Sequence, residues 1–448
     1  MSFDMFDGDP VAGGGLRLLA RAWHDLGADP RRLERVRAPR VSVPLPSRLA
    51  VGDLAWGSVA AAALASGRAP ADLDDLDPSR IALAFRSDRV LRLDGQAPSV
   101  WSPYSAFWQC GNGWIRTHGN YPHHAAALGA ALDLGGSPTA DGVSAALAAL
   151  EPDEAVRLIT GAGGLAVVVG SERGALDERL RATPLVDVRR ANDYAGSRER
   201  TSGTGRSLAG IRVLDLTRVI AGPVATRTLA LLGADVLRID PPNLPEPDWQ
   251  HYDTGHGKRS ALLDAGSGTM RDLVSMADVV VLGYRPAGLS RLGLDPEELT
   301  ARHPGLIVLQ LSAWGAEHPD RRGFDSLVQA ESGIAMIESA DGIRPGALPA
   351  QALDHSAGYL LAATAMILLD RREREGGSWV ARTSLRRIAA ELLGMPRTAR
   401  PAPAAEIDVT PHTATFRVGG RTVDTVRPAF PWYEFDAPRA FGEDQPRW

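Results

Sequence analysis

The chain has 448 residues, of which 44% are hydrophobic and 23% are charged, and its formal net charge is −5. This composition is typical of a globular protein rather than a disordered one, and the length is too great for a single compact core. A slightly acidic protein has no overall attraction for nucleic acid or anionic membranes, so neither is expected as a partner. An anionic small molecule would have to be bound by local basic groups.

Several features of the sequence indicate a cytoplasmic protein. Cys110 is the only cysteine, which excludes an intrachain disulfide and favours a reducing compartment. The acidic start lacks the charged and then apolar pattern of a secretion signal. The longest apolar runs, such as residues 358–369, are too short to cross a bilayer. We therefore expect no membrane segment.

Two polar stretches divide the chain. Residues 196–207 are rich in glycine and serine, which is typical of a linker, and a run rich in proline and alanine lies at residues 396–405. We therefore predict four regions: an N-terminal domain at 1–195, a linker at 196–207, a central domain at 208–395 and a C-terminal tail at 396–448.

The central region has the clearest pattern. Short apolar runs rich in β-branched residues are typical of buried parallel strands, and here they alternate with segments of helical spacing. Such alternation predicts an α/β fold with a Rossmann-like, doubly wound parallel sheet. The predicted strands are residues 211–216, 234–239, 278–282 and 306–311.

The N-terminal region predicts a smaller α+β domain, because helical and strand patterns are mixed there. Helical spacing occurs at residues 59–65, 125–134 and 143–150, and strand patterns occur at 81–93 and 114–116. In the tail, two alternating runs on either side of Gly419-Gly420 predict a β-hairpin.

Three common catalytic signatures are missing. The turn after the first central strand, residues 216–223, lacks the G-x-G-x-x-G spacing of dinucleotide-binding proteins, and no P-loop is present. A serine hydrolase is also disfavoured, because Asp354-His355-Ser356 has an aspartate where the nucleophile motif requires glycine. The sequence therefore does not favour any of these chemistries.

Histidines cluster at His118, His123 and His124. No cysteine is placed as a partner ligand, and the spacing is not that of the helical H-E-x-x-H metal motif. We therefore predict a turn with surface histidines and no metal site.

Six segments between residues 208 and 375 point to a known family. They are LAGIRVLDLTRVIAGPVATRTLALLGADVLRIDPP, GKRSALLD, YRPAGLSRLGLDPEEL, HPGLIVLQLSAWG, RRGFDSLVQAESG and LDHSAGYLLAATAMILLDRRERE. In content and in order they resemble the family III (CaiB/BaiF-type) CoA-transferases. The resemblance implies a Rossmann-like fold, an acyl-CoA substrate, a carboxylic acid acceptor and thioester chemistry.

The family's nucleophilic aspartate falls in the last of these segments, so the resemblance implies that Asp354 is the catalytic residue. An aspartate is ordinarily ionised at neutral pH, and a carboxylate can attack a thioester carbonyl without a general base. Covalent catalysis then divides the transfer into two easier steps, through an acyl anhydride and an aspartyl-CoA thioester. From periodicity alone, an aspartate just before an apolar helical run would be a helix N-cap.

Coenzyme A carries phosphates, so basic residues on loops after strands are candidates to bind it. Arg291 corresponds to the arginine of the family's R-x-G segment, and Lys258 is the only lysine in the chain. The predicted cofactor-binding residues are Arg238, Lys258, Arg259, Arg285 and Arg291.

Two departures from the family pattern concern the substrate. Formyl-type transferases carry glutamine where this chain has Ile220, so that polar contact is lost. The family's acyl-CoA racemases carry histidine before an aspartate in the segment matched by Phe324 and Asp325, and phenylalanine cannot abstract the proton next to a thioester. Asp325 is expected either to support the site or to cap a helix.

Residues 80–175 resemble the family's small domain more faintly, and they precede the catalytic region instead of following it. The resemblance as a whole implies transfer of coenzyme A between an acyl-CoA thioester and a carboxylic acid, without a metal, by a homodimer. Two alternatives stay open. One is a 2-methylacyl-CoA racemase or epimerase, and the other is a catalytically weak CoA-binding protein.

Overall fold

A computed structural model describes residues 13–135, 138–194 and 207–448, so the predicted linker lies outside the described residues except for Ser207. The strands within these ranges are β1 (Arg92–Leu93), β2 (Phe107–Cys110), β3 (Gly113–Thr117), β4 (Ala166–Val168), β5 (Asp187–Asn192), β6 (Arg212–Leu216), β7 (Asp235–Asp240), β8 (Lys258–Leu262), β9 (Val279–Leu282), β10 (Ile307–Ser312), β11 (Ser378–Ser384), β12 (Thr413–Val418) and β13 (Arg421–Val426).

The α-helices of the described residues are α1 (Gly14–Asp25), α2 (Val51–Ala65), α3 (Pro78–Ala84), α4 (Ser87–Val90), α5 (Pro122–Ala131), α6 (Ala140–Ala148), α7 (Pro152–Gly161), α8 (Gly174–Ala182), α9 (Ala221–Leu231), α10 (Asp248–Thr254), α11 (Gly268–Met276), α12 (Pro286–Arg291), α13 (Pro296–Arg302), α14 (Asp325–Glu331), α15 (Ile334–Ile337), α16 (Ala352–Glu375) and α17 (Leu385–Gly394). Short 3₁₀ turns add Pro30–Leu33, Pro70–Asp75 and Thr410–His412.

Seven strands form the central sheet, in the order β5-β11-β10-β9-β6-β7-β8. Neighbouring strands from β11 to β8 are parallel, and β5 pairs antiparallel with β11 at one edge. The four strands predicted in the central region are confirmed as β6, β7, β9 and β10, each within one residue at either end.

Helices cover both faces of this sheet, as the nearly continuous apolar strands require. Successive residues of β6 therefore belong to different cores. Val213 packs in the larger core with α1, α2, α9 and α16, whereas Leu214 packs in a smaller core with α11, α12 and α13. The predicted doubly wound α/β architecture is confirmed.

Helix α16 is the central helix of the larger core, where it packs against α2 and α9. It is long and apolar enough to cross a membrane by length and composition, but its most apolar window is wholly buried inside the protein. Gly358 allows the contact with α9, because a Cβ there would lie 2.6 Å from the Ala221 carbonyl oxygen. This close approach brings the first turn of α16, which carries Asp354, next to the start of α9.

A small α+β unit, defined here as residues 107–168, has a core of its own. Strands β2, β3 and β4 form an antiparallel sheet, and α5, α6 and α7 pack on it around Trp108, Ile115 and Ile159. The prediction of a smaller α+β region beside the parallel sheet is confirmed.

Residues 81–93, which were predicted as a strand, form α3 and α4, with only Arg92–Leu93 in a β-strand. The helical start explains the error. Pro78 occupies the first helical turn, and the side chain of Asp77 accepts a hydrogen bond from the Ser79 N–H. Both features start a helix, so the short apolar run that follows is helical rather than a strand.

The N-terminal residues do not form one separate domain, which corrects the predicted division at residue 195. Helices α1 and α2 pack in the same core as α16, and β5 extends the central sheet. The predicted hairpin of the tail is confirmed as β12 and β13, and β1 joins it as a third strand. The end of the tail returns to the central region, where the Trp448 indole donates to the Leu273 carbonyl of α11.

Candidate active site

A cavity of about 470 Å³ lies at the carboxyl ends of the central strands. Leu216 at the end of β6, Gly283 after β9 and Ser312 at the end of β10 line it, and the small unit contributes Tyr121 and His124. The lining is largely apolar, with many leucines. Ligands of open α/β sheets bind at this edge, so the cavity is the candidate active site.

Asp354 lines this cavity from the first turn of α16. Its backbone N–H donates to Asp325 Oδ2 at 3.0 Å, and the residue is only 6% exposed. Burial raises the pKa of the Asp354 carboxyl well above its ordinary value, and the nearby Asp325 carboxyl raises it further. The N-terminus of a helix stabilises an anion, which would lower the pKa, but the loss of solvation and the nearby Asp325 carboxyl raise the pKa of Asp354 instead. The Asp354 carboxyl is therefore harder to ionise than the ordinary aspartate assumed from the sequence.

Asp325 is buried at the start of α14 and holds the beginning of α16 in place. Its carboxyl accepts hydrogen bonds from the Asp354 N–H and from the Gln329 side chain, and burial raises its pKa to about 6. Among the described residues, no ion pair reaches either carboxyl. Two close carboxyl groups without a cation titrate as a pair, which is a common feature of catalytic sites.

Two of the predicted cofactor-binding residues are structural, which corrects their assignment. Arg238 is completely buried, donates to both oxygens of Asp240 at 2.7 and 2.9 Å, and also contacts Glu246. Lys258 is buried as well, with its Nζ 3.1 Å from Asp215 Oδ2 and 2.9 Å from the Pro223 carbonyl oxygen. Neither side chain is part of the cavity lining, so neither is placed to bind a phosphate there.

The other three predicted basic residues lie in different places. Arg259 pairs with Asp235 at the amino end of β7, away from the carboxyl ends that form the cavity. Arg291 is 66% exposed and lies 3.6 Å from Asp320. Arg285 lines the cavity and donates to the Asp320 carbonyl oxygen at 3.3 Å. The structure thus brings only Arg285 of the five into the cavity.

Of the residues predicted to contact the substrate, some line the cavity and others do not. Ile220 is the residue before α9 and packs against the larger core, while its neighbours Val219 and Ala221 line the cavity. Phe324 lines the cavity directly, and its ring stacks on that of His118 with centroids 3.7 Å apart. The position where the racemases carry histidine is therefore adjacent to a histidine from another part of the chain.

The prediction of surface histidines is wrong for His118 and His124, which are 5% and 7% exposed. His123 and His124 occupy the first turn of α5 and line the cavity. Burial lowers the pKa of His118 and of His124 to about 3, so both rings are neutral at physiological pH. In the described part of the chain, no group of three or more His, Cys, Asp or Glu residues is arranged to hold a metal ion.

Sequence reasoning missed two further cavity residues, Arg218 and Arg322. Arg218 follows β6 in the turn that lacks the dinucleotide glycines, and Val219 beside it has a φ of 72°. That conformation is unfavourable for a β-branched residue, and such strain is most common at functional sites. A cation directly after a central strand was thus a usable signal for Arg218, whereas the loop before α14 offered none for Arg322.

The fold and the cavity together define an α/β protein whose ligand site holds a buried pair of carboxyls at the carboxyl edge of a parallel sheet. Residues 208–414 match the model of CoA-transferase family III. A Mycobacterium tuberculosis protein named "probable fatty acyl-CoA transferase Rv3272" is 33% identical over 211 residues, which cover 43% of this chain and 54% of that protein.

The succinyl-CoA–D-citramalate CoA-transferase of Chloroflexus aurantiacus is 32% identical over 189 residues, covering 38% of this chain and 47% of that enzyme. A crystal structure of the M. tuberculosis protein aligns with a TM-score of 0.40 at 32% identity, over 43% of this chain and 57% of that chain. The chain therefore spans about half the length of the curated relatives that it matches. The match to CoA-transferase family III lies in residues 208–414, which include both Asp325 and Asp354.

Proposed function

We propose that the protein transfers coenzyme A from an acyl-CoA thioester to a carboxylic acid, with Asp354 as the covalent carrier. The proposal rests on the position of Asp354, which lines the cavity and lies within the residues that match the family model. Curated relatives are named as CoA-transferases, which supports the reaction class.

The proposed reaction passes through Asp354 in balanced steps. The Asp354 carboxylate attacks the thioester carbonyl, and the C–S bond breaks to give an acyl-aspartyl anhydride and the CoA thiolate. The thiolate then attacks the aspartyl carbonyl of the anhydride, which releases the first carboxylic acid as its anion and leaves an aspartyl-CoA thioester. The acceptor carboxylate repeats the sequence in reverse, and the new acyl-CoA leaves Asp354 as a carboxylate again.

The protonation state of the carboxyl pair sets the condition for the first step. Asp354 must be ionised to attack, yet burial and Asp325 raise its pKa. The reactive fraction therefore grows as the pH rises through that pKa. A desolvated carboxylate, once ionised, is also a stronger nucleophile than one in water, because no hydration shell has to be removed.

A racemase or epimerase requires a base that removes the α-proton of the acyl group. His118 and His124 lie near Phe324, but a neutral imidazole with a pKa of about 3 is a weak base for this task. The two histidines are therefore poor candidates for that base, and this supports transfer over racemisation.

The test compares the wild-type protein with Asp354→Asn and with Asp272→Asn, in which the changed carboxyl is on the exposed surface of α11. A panel of acyl-CoA thioesters is incubated with isotope-labelled acids, and label in the new thioester is measured beside deuterium uptake at the α-carbon. Label transfer by the wild type and by Asp272→Asn, but not by Asp354→Asn, is expected. Deuterium uptake without label transfer would establish racemisation instead, and neither signal would leave a CoA-binding protein.

We further propose a cytoplasmic homodimer as the working form, in line with the sequence resemblance. Within one protomer, the cavity is lined by residues of the small unit and of the central sheet. Sedimentation equilibrium tests the dimer directly.

A further inference from the structure

Gln329 is buried in α14, one turn after Asp325, and its side-chain amide connects the carboxyl pair to the loop before α16. Its Nε2 donates to Asp325 Oδ1, and its Oε1 accepts from the Leu348 N–H at 2.9 Å. A backbone N–H can only donate, so the Leu348 contact fixes which end of the amide carries the oxygen. The end that faces Asp325 is therefore the NH₂ group, which can only donate.

The Asp325 carboxyl is an acceptor in each hydrogen bond that the structure describes for it. Oδ1 accepts from Gln329, Oδ2 accepts from the Asp354 N–H at 3.0 Å, and the Leu353 N–H also lowers the pKa by hydrogen bonding. The two backbone groups belong to the first turn of α16, where N–H groups have no partner within the helix. Asp325 thus caps α16 from a neighbouring helix, a role that suits an ionised carboxylate.

The Asp354 carboxyl has no comparable set of donors. It lines the cavity and is 6% exposed, and within the described ranges no N–H or O–H group bonds to its oxygens. Two adjacent buried carboxyls do not both ionise easily, so the pair retains one proton over a range of pH. The carboxyl that accepts three N–H groups is favoured to hold the charge, and its neighbour is favoured to hold the proton.

No charged group outside the pair decides between the two carboxyls in the part of the chain that the structure describes. Helix α14 packs against β3, β4, α15, α16 and α17. The titratable groups of these elements near the pair are neutral or have other partners: His118 and His355 have pKa values lowered to about 3 by burial, Arg386 and Arg387 bond to Asp177 and Glu391, and Arg116 lies over the Phe107 ring.

We propose that Gln329 is a positioning residue: its amide, fixed by the Leu348 N–H, keeps Asp325 as the charged acceptor and leaves the proton of the pair on Asp354. This proposal rests on the proposed CoA transfer for its catalytic consequence. Asp354 of the free protein would release its proton to water in the cavity and then attack the thioester as a carboxylate. Gln329 acts through Asp325 and touches no substrate.

The place of the proton is measured in the free protein by ¹³C NMR of the aspartate carboxyl carbons, whose chemical shifts change on ionisation. Asp325→Asn and Asp354→Asn assign the two signals. We expect the Asp325 signal to titrate first, in line with its pKa of about 6, and the Asp354 signal to titrate at higher pH. An Asp354 signal that titrates before that of Asp325 would overturn the proposal.

Gln329→Met keeps a similar side-chain volume and removes the donor. The Asp325 titration should move to higher pH by about one unit or more, because a hydrogen bond to the charged form is lost. Gln250→Met makes the same change at a buried glutamine of α10 that does not line the cavity, and both titrations should stay in place. A Gln329→Met protein whose Asp325 titrates as in the wild type would refute the role of Gln329.

Gln329→Glu separates hydrogen-bond donation from packing, because the new carboxyl has nearly the same shape but donates only while it is protonated. We expect the ratio of its kcat/KM to that of the wild type to fall by about tenfold or more between pH 6 and pH 9. The ratio for Gln329→Met should be low at every pH, and Gln250→Glu should show no such trend. A pH-independent ratio for Gln329→Glu would leave Gln329 with a structural role only.

The NMR titrations require no substrate, so their result is independent of turnover. Titrations as expected in a protein that transfers no label would keep the arrangement of the pair and refute the proposed function. Label transfer by the wild type, together with an unchanged Asp325 titration in Gln329→Met, would refute the role of Gln329 and leave the proposed function in place.

Discussion

Asp215 and Asp354 are both buried aspartates, and their neighbours shift their pKa values in opposite directions. Burial alone would raise the pKa of Asp215, but Lys258 and Arg238 outweigh it and the pKa of Asp215 is lowered. The hydroxyls of Thr217 and Thr226 also donate to this carboxylate. Asp215 is therefore a stable anion at the centre of a structural network.

Asp354 has the same side chain and similar burial, but its nearest charged neighbour is another acid. Its pKa is raised, and in the described residues no cation pairs with it or with Asp325. The comparison shows that the position of the cations, rather than burial, separates the lowered pKa of Asp215 from the raised pKa of Asp354. Lys258 and Arg238 stabilise the Asp215 carboxylate, whereas no cation has a comparable effect on the pKa of Asp354.

The largest effect that this comparison predicts is on catalysis. Replacement of Asp354 by asparagine removes the proposed nucleophile, and we expect label transfer to fall by about 10⁴-fold or more. Stability at neutral pH should be retained or increased, because the amide avoids the cost of a buried, unpaired carboxylate. Transfer assays and urea unfolding measure both. A variant with activity within tenfold of the wild type would show that Asp354 is not the carrier.

The next effect concerns the structural aspartate. Lys258→Met leaves the Asp215 carboxylate buried without its cation, and we expect the free energy of unfolding to fall by about 3–5 kcal/mol. The double variant Lys258→Met/Asp215→Asn should recover most of this loss. Arg259→Met, which breaks the partly exposed pair with Asp235, serves as the control and should cost about 1 kcal/mol or less. A loss below 1 kcal/mol for Lys258→Met would return Lys258 to the list of candidate phosphate ligands.

The third prediction concerns the carboxyl pair. Asp325→Asn removes the like charge beside Asp354, so the pKa of Asp354 should fall and the rising limb of the pH–rate profile should move by about one unit toward acid. Burial still raises the pKa, so the rate should continue to increase with pH. The profile of kcat/KM from pH 5 to 9 measures this shift, and an unchanged limb would show that the two carboxyls are not coupled.

The same pair affects stability with a definite sign. The folded protein retains protons on Asp325 and Asp354 above about pH 4, where the unfolded chain has released them. The free energy of unfolding should therefore decrease as the pH rises through the raised pKa values, including that of Asp325 at about 6. Urea unfolding at pH 5 and pH 8 should show a smaller decrease in Asp325→Asn than in the wild type.

The smallest effect is expected at the surface. Arg291 is 66% exposed beside Asp320, so Arg291→Gln should change the free energy of unfolding by no more than about 1 kcal/mol. If Arg291 binds a phosphate of coenzyme A, as the sequence resemblance implies, KM for acyl-CoA should rise while kcat stays the same. Steady-state kinetics with one acyl-CoA at fixed acceptor separate the two constants.

The parts of the fold that depend on local patterns were predictable. The strands β6, β7, β9 and β10 are apolar runs that bury both faces, and this property is visible in sequence. The addition of β5 to the sheet and of α1 and α2 to the core was not predictable, because these contacts join residues far apart in the chain. A local pattern contains no information about such pairings.

The residues of the candidate site also include some that the sequence predicts and others that depend on distant contacts. Asp354 was found through the ordered family segments, and the structure places it in the cavity lining. Arg238 and Lys258 were assigned incorrectly, although Arg238 lies between Leu237 and Ile239 in a strand with two buried faces, which was a sign of an interior cation. His124 could not be foreseen at the cavity, because its place depends on how the small unit packs against the sheet.

The most direct test of the central claim is a search for a covalent adduct on Asp354. The protein is incubated with acyl-CoA, treated with hydroxylamine, digested and mapped by mass spectrometry, with Asp354→Asn processed in parallel. The proposal predicts an aspartyl hydroxamate at residue 354 in the wild type and in Asp272→Asn, and none in Asp354→Asn. Rapid label transfer by the wild type without modification at that residue would contradict the covalent role of Asp354.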